Sequence, residues 1–576
     1  MFLNRLFSLA LIGGWVQAKV LQNAAELDTS TKFDFIVVGS GPGGATVASR
    51  LSENHQFNVL LIEAGPDNES EETIRAPGLF MQIPPMFQWN YTLTATPAVN
   101  NRTLDYTRGY VLGGTSSING MVYSRGAADD YNSWAATTGD SDWKWDALQP
   151  YFRKNERLVA PPGGRDVTGE YDPRLHGTNG RVFVSLPAQD ATDFDQRCLN
   201  VTANQPEFPF YLDMNDGRPN GLTWQQVTIG RNGERSSAAT AYLGPSVRSR
   251  PNLSILVNTY VTRVLPTSSK KGTPSIRTVE FGDKVTRNIL GNVTASKEVI
   301  LAGGVVGTPQ ILLNSGIGDT VELRNLGINP IHDLPDVGKG LNDHHSAAAI
   351  FNANTQEPIV DSDAALLEWR QNKTGPLTNA MNRLLLWSRI PNNSSVLANY
   401  PDPASGPHTP HFEVILVALA NGITGGFLVF LNSPSKGSVT LRSSNPFEDP
   451  LIDDAILQSP IDVAALTEGF RISKRFFSGP YLASPLFPDP DTTPAAEFEA
   501  FLRQAAGTGS HGVGTAAMSK KSGKAGVVDP RLRVKGVEGL RIVDASVIPR
   551  VPAGHTQVPV YVLAERAADL IRGSWA

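Results

Sequence analysis

The chain has 576 residues, 40% of them hydrophobic and 18% charged, so it is neither a disordered chain nor a coiled coil. Its 50 Lys+Arg against 55 Asp+Glu leave a net charge of −5, which argues against nucleic-acid binding and against a polybasic membrane anchor. The length suits roughly three to four domains and is ample for a buried core.

Residues 1–18 stand apart. Arg5 precedes an apolar run over 6–16, and Val16-Gln17-Ala18 resembles a small-residue cleavage site. The run is too short to span a bilayer comfortably, so it reads as a secretory signal peptide and the protein as extracellular. No later segment offers ~18 uninterrupted apolar residues. Asn-x-Ser/Thr sequons at Asn68, Asn90, Asn101, Asn200, Asn252, Asn292, Asn372, Asn392 and Asn393 agree with an exported glycoprotein. Cys198 is the only cysteine, so no intrachain disulfide is possible, and its thiol is expected to be buried and inert.

The first structural signal is Phe33–Val38, an apolar run suited to a buried parallel strand. Gly39-Ser40-Gly41-Pro42-Gly43-Gly44 follows, then a predicted helix over 45–52 and a second strand over 58–62 that ends at Glu63. This is a dinucleotide-binding unit. Gly39 makes the tight turn, Gly41 lets backbone approach a pyrophosphate, and Gly44 lets the helix pack on the strand. The helix N-terminus offers free N–H groups to phosphate. Glu63, nineteen residues beyond Gly44, is placed to accept from ribose hydroxyls, which disfavours NADP and leaves NAD or FAD. A strand over 297–302 leads into Gly303-Gly304 and a helix through Leu313, a second β-turn-helix unit.

With these segments the chain resembles the glucose-methanol-choline (GMC) family of flavoprotein oxidoreductases over essentially the whole length after residue 18. The matching motifs are the fingerprint through Glu63-Ala64-Gly65, Arg108 to Tyr123 with Gly113-Gly114 and Asn119, Ser315-Gly316-Ile317-Gly318, Val337 to His344, and two C-terminal histidine segments. The resemblance implies FAD. It implies that the Gly113-Gly114 loop wraps the flavin, that Asn119 lies beside the ring, that Asp544 and Ala545 meet the ribityl and pyrophosphate region, and that Thr556, Gln557 and Val558 approach the pyrimidine end. It implies an α/β fold, with a Rossmann-like FAD-binding domain from 33–160, 228–335 and 505–576. A substrate domain of α+β type, from 161–227 and 336–504, is built on an antiparallel sheet, for which the runs 180–186, 412–419, 427–431 and 437–441 are candidates.

Of nine histidines, His511 and His555 carry the chemistry. Both lie among glycines, Gly509-Ser510-His511-Gly512 and Gly554-His555, which leave an imidazole accessible. Oxidising an alcohol at a flavin delivers the carbinol hydride to N5 as the hydroxyl proton leaves, and imidazole suits the base. His511 is read as main base and His555 as hydrogen-bond partner, roles that could be exchanged. His344 and His345 are adjacent, point apart, and receive no catalytic role; His55 and His176 read as loop residues. No metal site is expected, because no HExxH helix is present and His408 and His411 lack a third ligand; nor is a G-x-S-x-G hydrolase elbow present.

Within the family the chain is similar to pyranose and oligosaccharide dehydrogenases and, less so, to aryl-alcohol oxidases. The position where pyranose dehydrogenases commonly carry a flavin-linking histidine is Ile118, so the FAD is expected to be noncovalent. Where aryl-alcohol oxidases carry phenylalanine before the first catalytic histidine stands Ser510, which widens the pocket towards a polyol. The expectation is a monomeric sugar dehydrogenase passing electrons to quinone or radical acceptors. An aryl-alcohol oxidase using oxygen is the alternative and an FAD-containing lyase a remote one. Trp89, Tyr91, Phe412 and Phe430 are candidates for the entrance, though each also suits a core; Trp134, Trp143 and Trp145 read as structural.

Overall fold

The computed structural model describes residues 20–28, 30–270, 272–352, 362–379, 382–418, 422–478 and 484–576. The leader expected over 1–18 lies outside them. The fold is the α/β architecture that the sequence implies.

Its larger sheet has eight strands. Val20–Leu21, Leu253–Leu256, Val59–Ile62, Phe33–Val38 and Asn288–Leu301 run in that order and parallel, and Leu540–Ile542 also pairs with the last of them. Val59–Ile62 is apolar throughout, and Phe33–Val38 is apolar apart from Asp34 near its start, as buried parallel strands require. Asn288–Leu301 has two characters. Its end, Val299 to Leu301, is buried between Ile36 to Val38 and Leu540 to Ile542, while its first half continues antiparallel into Thr273–Asp283 and Tyr260–Lys270. Helix Pro42–Leu51 follows the first strand and packs on the buried C-terminal helix Gln557–Arg572.

The second sheet has seven strands, and all its pairings are antiparallel. Its path is Ser484–Pro485, His345–Asn352, Ile423–Phe430, Phe412–Ala418, Leu384–Ser388 and Gly221–Trp224, with Gly507–Thr508 paired to His345–Asn352. The period of two sorts its side chains. Phe412, Val414, Leu416, Leu428 and Phe430 join the core beneath helix Pro460–Phe477, whereas Glu413, Ile415, Phe427 and Val429 lie on the opposite face. Of the four predicted runs, 412–419 and 427–431 correspond to the strands Phe412–Ala418 and Ile423–Phe430 of this sheet, with 419 outside the described residues. Gly437–Thr440 instead joins Lys339–Leu341 and Leu451–Asp453, and Val182–Val184 pairs with Glu156–Leu158. Alternation marks a half-buried strand but says nothing about its partner.

Cys198 is fully buried and burial pushes its thiol pKa well up, so it is an inert core group. Trp134 and Trp143 are buried and Trp145 packs against the same core, as expected. Two sequons are closed: Asn252 donates to the carbonyls of Ser52, Asn54 and Phe57, and Asn68 to the Leu112 carbonyl and Ser117 Oγ. Their amide nitrogens hold loops together and have no room for a glycan.

Candidate active site

A cavity of about 650 Å³ lies between the two sheets. It is lined by Gly39, Gly41, Glu63, Gly114, Asn119, Asp544, Ala545, Thr556, Gln557, His511 and His555. Residues brought together from 39 to 557 thus share one space. Three predicted residues do not line it. Gly44 lies in the first turn of helix Pro42–Leu51, where a side chain would strike the Gly39 carbonyl, which fits the helix–strand packing read from the sequence. Gly113 sits behind the loop at φ 91°, and Val558 is buried in the first turn of Gln557–Arg572, with Val560 reaching the cavity instead.

The loops are tied by side chains. Glu63 accepts from the Ser40 N–H at 2.9 Å, from Ser40 Oγ at 2.5 Å and from the Gly65 N–H at 2.9 Å; Ser40 Oγ accepts from the Gly113 N–H at 3.0 Å. Burial raises the Glu63 pKa and these donors oppose it. Asp544 does the same for the second unit. Its Oδ2 accepts from the Gly304 N–H and Thr308 Oγ1, its Oδ1 from Ser546. Ser40 and Thr308 were missed in the sequence because each reads as turn filler.

These residues fit a dinucleotide. Helix Pro42–Leu51 has no side-chain cap, so its first N–H groups remain open to an anion. A side chain on Gly41 would meet nothing nearer than Gly114 Cα at 4.0 Å: the turn leaves room where a pyrophosphate would lie. Gln557 Nε2 and Arg108 Nη2 are buried without protein partners, donors that await a ligand. Ile118 lines the cavity and offers no atom for a covalent link. FAD held here would supply the two-electron oxidant at its N5.

The two histidines meet. Their ring centroids are 4.5 Å apart at 70°. His511 is half-buried in the cavity wall, and its pKa is well below the ordinary histidine value, chiefly through desolvation and then the neighbouring His555 and His344. His511 Nδ1 lies 3.0 Å from His344 Nδ1, and His344 Nε2 lies 3.0 Å from the Pro552 carbonyl. A carbonyl only accepts, so His344 carries its proton on Nε2; burial lowers its pKa to about 3 and keeps it neutral. Its Nδ1 therefore accepts from His511 Nδ1–H. The network thus assigns His511 the tautomer with a free lone pair on Nε2. Asp343 fixes both residues: Oδ1 accepts from the His344 and His511 N–H groups at 2.7 Å each, and Oδ2 from Tyr106 and Thr508.

His555 Nε2 contacts Glu413 Oε1 at 3.0 Å. Glu413 is fully buried and its Oε2 has no partner, so its carboxyl group is tied to the site through His555. Sequence reading missed Glu413 and left His344 without a role. The signal for Glu413 was present: it interrupts an otherwise apolar strand, where a carboxylate persists only with a partner. Among the entrance candidates, Trp89 and Tyr91 line the cavity, while Phe412 and Phe430 are core. Phe80, Met81, Ile415 and Phe427 form an apolar part of the lining, and Ser346, Asn382, Thr508 and Ser510 a polar part. No group of three or more metal-ligating side chains occurs among the described residues.

The GMC oxidoreductase family models match residues 33–346 and 433–564. The chain is 41% identical to a pyranose dehydrogenase of Agaricus campestris, covering 100% of this chain and 99% of that one. It is 41% identical to pyranose dehydrogenase 3 of Leucoagaricus meleagris, covering 100% and 98%. Among solved structures, a fungal aryl-alcohol oxidase superposes with a TM-score of 0.81 at 27% identity, covering 95% of this chain and 100% of that one.

Proposed function

This chain belongs to the GMC oxidoreductase family, and on that premise we propose that it is a secreted dehydrogenase of pyranoses or short oligosaccharides holding FAD noncovalently. It is an FAD-dependent oxidoreductase acting on CH–OH groups. The observation that carries the finer reading is the likeness to pyranose dehydrogenases over the full length, at 41% identity. The site agrees with it. Ser510 is exposed at φ 58°, a backbone state that disfavours a bulky ring, and it puts a small polar side chain beside His511.

In this reading Ser346, Asn382 and Ser510 offer hydrogen bonds to sugar hydroxyls. His511 Nε2 takes the hydroxyl proton of the carbon being oxidised. His344 and Asp343 hold the imidazole in the orientation and tautomer that can do so. Glu413 orients His555, which steadies the substrate oxygen. Ile118 supports noncovalent FAD, and the widened pocket supports a quinone or radical acceptor. Export rests on the apolar leader read from the sequence, and a monomer on the resemblance. Segments 33–160, 228–335 and 505–576 form the cofactor half, 161–227 and 336–504 the substrate half.

Anaerobic stopped-flow absorbance tests the proposal. Glucose or a β-linked disaccharide should bleach the flavin fast, and benzoquinone should restore it faster than air. Bleaching by 4-methoxybenzyl alcohol alone, with rapid recovery in air, would instead make it an aryl-alcohol oxidase. The apolar lining from Phe80 and Phe427 and the structural neighbour favour that as the second reading.

A further inference from the structure

Five described arginines are buried: Arg50, Arg125, Arg235, Arg541 and Arg566. Four face a carboxylate, Glu565 at 2.7 Å, Glu156 at 2.6 Å, Glu298 at 2.5 Å and Asp140 at 2.9 Å in the same order with Arg235 left out. Arg235 has no such partner among the described residues. Its Nε donates to the Ile74 carbonyl at 2.9 Å; its Nη1 donates to the Asn119 carbonyl at 2.6 Å and to Asn119 Oδ1 at 2.9 Å. Its Nη2 is buried without a partner. Only dipoles surround the charge, and burial lowers its pKa to about 9 with no anion opposing the shift. A buried cation of this kind is costly unless an anion completes its surroundings.

The hydrogen bonds lead from Arg235 to the cavity. Asn119 Nδ2 donates to Gln557 Oε1 at 2.7 Å, and Gln557 Nε2 is the buried donor left unpaired. Asn119 and Gln557 both line the cavity, whereas Arg235 does not and reaches it through the Asn119 amide. We propose that Arg235 is the charge partner of the reduced flavin ring, acting through Asn119 and Gln557 to stabilise its negative charge and so raise its two-electron potential. The balance of the reaction supplies that charge. The alcohol becomes a carbonyl, its hydride and both electrons go to the oxidised ring, its hydroxyl proton goes to His511, and the ring gains one negative charge. Arg235 touches none of the reacting atoms; it is a positioning and electrostatic residue. The inference rests on the reading that FAD occupies this cavity with its ring beside Asn119.

The test is the reduction potential of the holoenzyme, measured by equilibration with redox dyes, in wild type, Arg235→Gln and Arg235→Lys, with bound FAD counted by absorbance. Arg235→Gln should lower the reduced-to-oxidised ratio at a fixed dye potential at least tenfold, about 30 mV for a two-electron couple. Arg235→Lys, which keeps the charge, should stay within threefold of wild type. An unchanged potential in Arg235→Gln overturns the proposal, and so does lost FAD occupancy with an unchanged potential, which would assign the charge to the phosphates. If Arg235→Gln holds no FAD, Arg235→Lys decides, and a tenfold fall there overturns it. A wild-type protein without flavin absorbance would overturn the cofactor reading itself.

Discussion

The proton leaving a carbinol hydroxyl needs an acceptor that is neutral at the working pH, and His511 is held neutral by its surroundings. Burial, then His555 and His344, keep its pKa well below 6.5, so the base form persists as pH falls from 8 through 6.5. The rate of anaerobic flavin reduction should therefore stay flat across that range, and an acid limb centred near 6.5 would exclude His511 as base. His511→Ala should slow flavin reduction by roughly 10²–10⁴-fold, the usual worth of a general base, with FAD content unchanged. His344→Phe removes the acceptor that selects the tautomer; a loss of roughly 10–100-fold in flavin reduction is expected, typical for a group that orients a functional imidazole. Wild-type reduction by that variant would show the His344 contact to be incidental. Flanking glycines made both histidines candidates and the family resemblance singled them out as a pair, and the two rings do lie together. His344 was not legible, because its partner lies 167 positions away and the two loops meet only through long-range backbone pairing, of His345 with Thr508 and of Asn342 with Val513.

At the scale of the element, the first strand, turn and helix were read almost to the residue: Phe33–Val38, then a helix from Pro42 rather than 45, then Val59–Ile62. Local chemistry dictates such a unit, since period, glycines and helix start are all written within thirty residues. The strand pairings of the second sheet depend on contacts between distant segments, which periodicity does not encode. The two turn glycines separate fold from ligand. Gly39 has φ 96°, and a side chain there would run into the Ala302 carbonyl, so Gly39→Ala should destabilise even the FAD-free protein. Gly41 has φ −61° and open space, so Gly41→Ala should leave the unfolding temperature of the FAD-free protein within about a degree while weakening FAD retention. Thermal unfolding with and without FAD checks both, and equal losses in the two FAD-free variants would refute the assignment of Gly41 to the phosphates.

On the scale of the whole molecule, a buried ionic quartet joins four segments outside the cavity lining. Arg125 meets Glu156 at 2.6 Å, Glu156 meets His176 at 2.5 Å, and His176 meets Asp213 at 2.8 Å. Two cations and two anions leave the cluster neutral only if His176 is charged. Burial alone would lower its pKa, but hydrogen bonds and charge from Asp213 and Glu156 lift it to about 9. His176, read from the sequence as a plain loop residue, is thus a clamp, invisible there because none of its partners is within nineteen positions. The sign of the pH effect follows. A histidine that binds its proton more tightly folded than unfolded contributes stability that is complete below about 6.5 and is lost as pH rises through about 9. His176→Gln should therefore cost about 3–5 kcal/mol at pH 6, the range for breaking a buried pair. The gap between the unfolding curves of wild type and variant should narrow steadily from pH 6.5 to 9.5. Taking the difference cancels the other titrating groups, so a gap that stays constant across that interval would mean that His176 is held by shape alone and not by its charge.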